Sequence, residues 1–238
     1  MTAYHLPGLH LTERTTSVPL DWSVPDGERI GVFWREGVDP ERRDEDLPLL
    51  VYLQGGPGGA SPRPLHRDGW LDEALKTYRV LLPDQRGTGR STPLDGEAVA
   101  ERGDGAAGAD YLACFRADSI VADLEHVRRT HYGGRRWATL GQSFGGWITL
   151  AYLSRAPEGL AACYVTGGIP GTPASADEVY RRTFERVAGK TRRYYDLYPQ
   201  DVDAVAAVAD RLADGDVLLP DGDVLTVHRF QSLGIDLG

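Results

Sequence analysis

Apolar and polar positions alternate loosely over residues 9–18 and again over 29–36, the period-two pattern of strands with one buried face. Between them, Val24-Pro25-Asp26-Gly27 is rich in turn formers, so the two segments are predicted to pair as an antiparallel entry hairpin. After a charged loop from Asp39 to Asp46, the pattern becomes a nearly unbroken apolar run, Leu47-Pro48-Leu49-Leu50-Val51-Tyr52-Leu53. Such a run is expected of a strand buried on both faces. It stops at Gln54-Gly55-Gly56-Pro57-Gly58-Gly59, where regular structure cannot continue. A second buried run, Tyr78 to Leu82, ends at Pro83-Asp84-Gln85-Arg86-Gly87-Thr88-Gly89-Arg90-Ser91.

From Ser119 the period changes. Ile120, Val121, Leu124 and Val127 follow helical spacing, with Asp118 or Ser119 as the expected N-cap and Gly133-Gly134 as the stop. Trp137-Ala138-Thr139-Leu140 reads as a strand, followed by a sharp glycine-rich turn and a helix from Phe144 to about Arg155. Leu160 to Val165 reads as another strand. Strands alternating with helices predict an α/β fold with a mainly parallel sheet over residues 1–170. Beyond Pro170 the texture shifts to helices at 177–197 and 201–212, with Val217-Leu218-Leu219 and Val224-Leu225-Thr226 flanking a hairpin signal at Pro220-Asp221-Gly222-Asp223. Residues 171–238 are therefore expected to form a helical insertion lying over the sheet.

Composition narrows the class. With 238 residues, 41% hydrophobic and 26% charged, the chain can bury a sizeable core without disulfide or metal staples. The net charge of −9 disfavours nucleic acid and anionic membrane as partners. The arginine-rich stretch from Arg181 to Arg193 is flanked by acids and reads as a solvated helix face. No apolar run is long enough to span a membrane, and the first residues lack the pattern of a signal peptide. Two cysteines, Cys114 and Cys163, read as reduced, semi-buried residues, which makes the cytoplasm the expected compartment. His126 and His131 lie near one helix but five apart, and neither a metal nor a cofactor is expected.

Candidate chemistry centres on Gly141-Gln142-Ser143-Phe144-Gly145, a Gly-x-Ser-x-Gly pattern set between an apolar strand and a helix. The turn is so tight that glycines two residues before and two after the serine are needed to make room, and the hydroxyl would sit beside a helix N-terminus that favours negative charge. The simpler alternative is a serine N-cap followed by helix-packing glycines. Gln54-Gly55-Gly56-Pro57-Gly58 offers side-chain-free backbone whose N–H groups could reach an oxyanion. A phosphate loop would instead end in Gly-Lys-Ser/Thr before a helix, and neither is present. Asp84 and Arg86 read as braces between loops rather than reacting groups.

Taken in order, Gln54-Gly55-Gly56-Pro57-Gly58, Asp84-Gln85-Arg86-Gly87-x-Gly89-x-Ser91 and Gly141-x-Ser143-x-Gly145-Gly146 resemble the prolyl aminopeptidase (proline iminopeptidase) family of α/β-hydrolases. The resemblance extends to Val18-Pro19-Leu20-Asp21-Trp22, to Phe115-Arg116-Ala117-Asp118-Ser119-Ile120-Val121 and to Arg229-Phe230-Gln231-Ser232-Leu233-Gly234. It implies a serine peptidase that releases an N-terminal residue, preferentially proline, from a small peptide with a free N-terminus. On the matching positions, Ser143 is the nucleophile and the backbone N–H groups of Gly56 and Phe144 form the oxyanion hole. Gln54 stands where the family more often has histidine. In this fold the acid and base follow the nucleophile, yet only His228 lies downstream, within the cap-like region. The catalytic Asp and His, and the last core strands, are therefore expected outside this chain, which reads as an N-terminal piece of a longer protein. An esterase or tripeptidyl-type peptidase of the same fold, and a non-catalytic binding protein on a hydrolase scaffold, remain open.

Overall fold

The computed structural model describes residues 2–169, 171 and 175–233, arranged as two compact units, Met1–Pro170 and Gly171–Gly238. The first is built on strands β1 (Thr2–Leu6), β2 (Leu9–Pro19), β3 (Arg29–Val38), β4 (Leu49–Leu53), β5 (Arg79–Asp84), β6 (Trp137–Gln142) and β7 (Leu160–Thr166). They form one mixed sheet in the order β1-β2-β3-β5-β4-β6-β7. The β1/β2, β2/β3 and β3/β5 pairings are antiparallel, and the β5/β4, β4/β6 and β6/β7 pairings are parallel. Helices α1 (Gly69–Leu75), α2 (Gly96–Ala100), α3 (Gly105–Ala113), α4 (Ala117–His131) and α5 (Phe144–Arg155) complete this unit.

Every residue of β4 is buried, as its unbroken apolar run requires. Leu49, Val51 and Leu53 join a core with Leu124, Ile148, Trp137 and Tyr152, supplied by α4, β6 and α5. Leu50 and Tyr52, on the other face, join Leu71, Leu75, Val80 and Leu82 around α1. Both cores meet at β4, so the loop that follows it is anchored from two sides.

Several expectations change in detail. Helix α4 begins two residues earlier than its apolar spacing suggested, with Arg116 at the N-cap and no side-chain cap; Asp118 instead accepts a 3.1 Å bond from the Ser119 N–H. The helix does stop at the glycine pair, where Gly133 and Gly134 take φ of 61° and 73° and the Gly134 N–H returns to the Arg128 carbonyl. β5 runs on through Pro83 to Asp84, because Pro83 needs no N–H in the β3 ladder at that point. β1 and the short helices α1–α3 carry too little periodicity to stand out in the sequence.

The second unit contains α6 (Ala176–Leu197), α7 (Asp201–Ala213) and α8 (Val227–Ser232). Ser175 caps α6 by accepting the Glu178 N–H, and Glu178 pairs with Arg181 and Arg182 on the solvated face. The predicted hairpin reduces to a single antiparallel bridge, Leu218 with Val224, around the Pro220-to-Asp223 turn. Gly234 of the carboxyl-terminal motif lies outside the described residues.

Candidate active site

Ser143 links β6 to α5 with φ 53° and ψ −119°, the one positive φ at a non-glycine position among the described residues. It occupies the N-cap position, but its hydroxyl caps nothing, so the plain capping alternative fails. Its backbone is held instead. The N–H donates to the Thr166 carbonyl at 2.9 Å, and the carbonyl accepts the Gly146 N–H at 2.9 Å. The surrounding glycines are demanded by backbone contact. A Cβ on Gly141 would run into the Gly145 carbonyl, one on Gly145 into the Leu53 carbonyl, and one on Gly168 into the Ser143 carbonyl. Gly168, at the end of β7, is a supporting residue that only its place in a Gly-Gly pair after a strand could have indicated.

The loop after β4 comes directly against this turn. A Cβ on Gly55 would lie 2.8 Å from both the Ser143 Cβ and the Gln142 Oε1. Gly56 (φ 126°) and Gly58 (φ 93°) take left-handed backbone angles, and the Gly56–Pro57 peptide is cis. Among the described residues, neither the Gly56 nor the Phe144 N–H donates a hydrogen bond, the condition a preformed anion-binding pair needs. Gln54 turns its side chain back to the Tyr52 hydroxyl, which donates to Gln54 Oε1 at 2.7 Å. The loop therefore presents backbone rather than this side chain. A cavity of about 320 Å³ opens beside it, lined among others by Pro57, Gly58, Gln85, Phe115 and Phe144.

The loop after β5 is braced by buried charge. Arg86 spends each of its five N–H groups: two on Asp123, two on the Leu20 and Cys114 carbonyls and one on Pro19. Burial pushes the Asp123 carboxyl up, while Arg86 and the indole N–H of Trp22, 3.0 Å away, favour its charged form. Asp84 accepts the Ser61 N–H at 3.1 Å on one oxygen and the Arg90 N–H at 2.8 Å on the other. Asp123, Trp22 and Gln85 were not legible as partners, because their distance from these loops in sequence hides the contact.

Among the described residues of this unit, no histidine is placed to activate Ser143. His5 and His10 contact each other on β1 and β2. His66 meets Asp68, His126 meets Thr16, and His131 packs edge-on against Trp34. His228 lies in α8 of the other unit. Among the described residues no cluster of His, Cys, Asp and Glu could hold a metal, and no helix is long and apolar enough to cross a membrane.

A family model described as the alpha/beta hydrolase fold matches residues 48–208, from the start of β4 through most of α7. The chain belongs to the α/β-hydrolase fold family. As an α/β-hydrolase it is 46% identical over 236 residues to the proline iminopeptidase of Aeromonas sobria, covering 99% of this chain and 55% of that protein. It is 39% identical over 232 residues to a proline iminopeptidase of Aspergillus aculeatus, covering 93% of this chain and 50% of that protein. A probable proline iminopeptidase of Streptomyces coelicolor matches at 32% over 157 residues, 66% of this chain and 42% of that one. The α/β-hydrolase chain thus spans about half the length of these relatives.

Proposed function

We propose that this α/β-hydrolase is a serine aminopeptidase that releases N-terminal residues, preferentially proline, from small peptides. The observation that carries the reading is the strained Ser143 backbone at the end of β6, with Gly55 pressed against its Cβ. The names of the three relatives above, two proline iminopeptidases and one probable proline iminopeptidase, support the substrate class. In this reading Ser143 Oγ attacks the carbonyl carbon of the N-terminal residue, and a histidine takes the hydroxyl proton. The tetrahedral oxyanion accepts hydrogen bonds from the Gly56 and Phe144 N–H groups, aided by the positive end of α5. The C–N bond then breaks, the leaving amine takes the proton from the histidine, and water hydrolyses the acyl-enzyme. The base and its orienting Asp here follow Ser143 in chain order, as the Ser, Asp or Glu, His order of the fold requires. In this reading residues 171–238 are the helical cap. The free cysteines, Cys114 and Cys163, suit a reducing compartment such as the cytoplasm.

A substrate panel on the natural protein tests this. Prolyl amides with a free amine should be turned over well, N-acetylprolyl amides and simple esters poorly. Preference for esters, or for longer N-terminal groups, would replace the aminopeptidase reading with the esterase or tripeptidyl one. No turnover and no fluorophosphonate labelling would leave a binding protein.

A further inference from the structure

The glycine loop is tied at both ends to consecutive residues of one neighbouring strand end. At its start, Gln85 Nε2 donates to the Gln54 carbonyl at 2.8 Å. At its far end, Ser61 donates its N–H to Asp84 and its hydroxyl to the Pro83 carbonyl at 2.7 Å. Gln85 is only 4% exposed, so its amide is not a surface group that happens to touch the loop. A trans peptide keeps its C=O and N–H on opposite sides. Fixing the Gln54 carbonyl onto Gln85 therefore fixes where the Gly55 N–H points. The Gly55 carbonyl faces Gly59, where an added Cβ would lie 3.0 Å away, and this sets the Gly56 N–H in turn. The peptides in question carry no side chains of their own, and glycine backbone is otherwise free to rotate.

We infer that Gln85 is a positioning residue for the oxyanion hole: its side-chain amide fixes the Gln54–Gly55 peptide, the anchored start from which the next peptide, packed against Gly59, directs the Gly56 N–H at the developing oxyanion. This rests on the proposed role of Gly56. Asp84 and Arg86 hold the loops in place, while Gln85 fixes the peptide that leads into the donor.

The test compares Gln85→Ala and Gln85→Glu with the natural protein, using a prolyl amide as substrate. Deleting an oxyanion donor outright typically costs about 100- to 1,000-fold in kcat, so misaiming one should cost about 10- to 100-fold, with KM within about twofold. Gln85→Glu adds a pH readout, taken with the urea midpoint at each pH so that a change in folding is separated from a change in kcat. Its carboxylate cannot donate to Gln54, but its protonated form can. The activity of Gln85→Glu relative to the natural protein should therefore rise as pH falls from about 8 to about 5, since burial lifts a carboxyl above its usual value near 4.3. A relative activity flat with pH, or a KM effect with unchanged kcat, would overturn the inference. If the natural protein neither turns over prolyl amides nor labels at Ser143, the functional reading fails by itself. Amide NMR of the natural protein then decides the positioning role: the Gly55 and Gly56 resonances should move in Gln85→Ala, and an unmoved pair would refute it.

Discussion

Replacing Ser143 with glycine should make the protein more stable. Its φ of 53° and ψ of −119° lie where an L-residue pays about 1–3 kcal/mol of backbone strain, whereas glycine enters without a Cβ clash. Glycine also gives the unfolded chain more freedom, which offsets about 0.5–1 kcal/mol of that relief. The net gain is about 1 kcal/mol. The proper reference is Ser143→Ala, which loses the same hydroxyl but keeps the Cβ and its strain. The hydroxyl caps nothing, so its loss should be nearly neutral in both variants. Urea unfolding of the three proteins reads the effect: Ser143→Gly should exceed Ser143→Ala by about 1 kcal/mol, and its Tm should be higher by roughly 2–4 °C. A glycine variant no more stable than the alanine variant would show that the turn stores no strain, and the argument for a functional constraint at this position would fall with it.

Gly145→Ala puts a Cβ into the Leu53 carbonyl, backbone against backbone, and should cost about 3 kcal/mol or more in urea unfolding; an unchanged midpoint would show that the elbow can relax. Arg86→Met strands a buried Asp123 carboxyl and should cost about 3–5 kcal/mol, much of it recovered when Asp123→Leu is added; strict additivity would contradict the pairing. Burial opposes the charge on Glu125, but hydrogen bonds from Arg128 at 2.7 Å and Tyr152 at 2.5 Å outweigh it and hold the carboxyl below its ordinary value. A depressed carboxyl stabilises the fold above its unfolded pKa, near 4.3, and the contribution is lost as pH falls further through the folded value. The advantage of the natural protein over Glu125→Gln should therefore shrink on acidification, and an advantage that grows would reverse the sign of the argument.

Much of the fold is visible in the chain because burial is so uneven. The two-sided burial of β4 forces an unbroken apolar run, and the stop at Gly133-Gly134 needs residues that accept left-handed angles. What escapes the sequence is carried by long-range contact. α1 is seven residues, too short for its period to register, and β1 pairs at the sheet edge with little burial. At the candidate site, the strand-turn-helix setting of Ser143 and the glycine loop were legible locally. Their meeting came from the family resemblance rather than from any local pattern, since Gly55 and Ser143 are brought together through the β4/β6 pairing. The bonds from Gln85 to Gln54 and from Trp22 to Asp123 link segments far apart in the chain and leave no periodic trace.

The central claim is that Ser143 is the nucleophile of a free-amine-selective amidase, and hydrolysis of a prolyl amide by the natural protein and its Ser143→Ala variant tests it most directly. Loss of the serine should lower kcat by about 10⁴-fold or more, with the fold intact by circular dichroism and covalent fluorophosphonate labelling abolished. Turnover and labelling that persist in Ser143→Ala would place the nucleophile elsewhere and contradict the account.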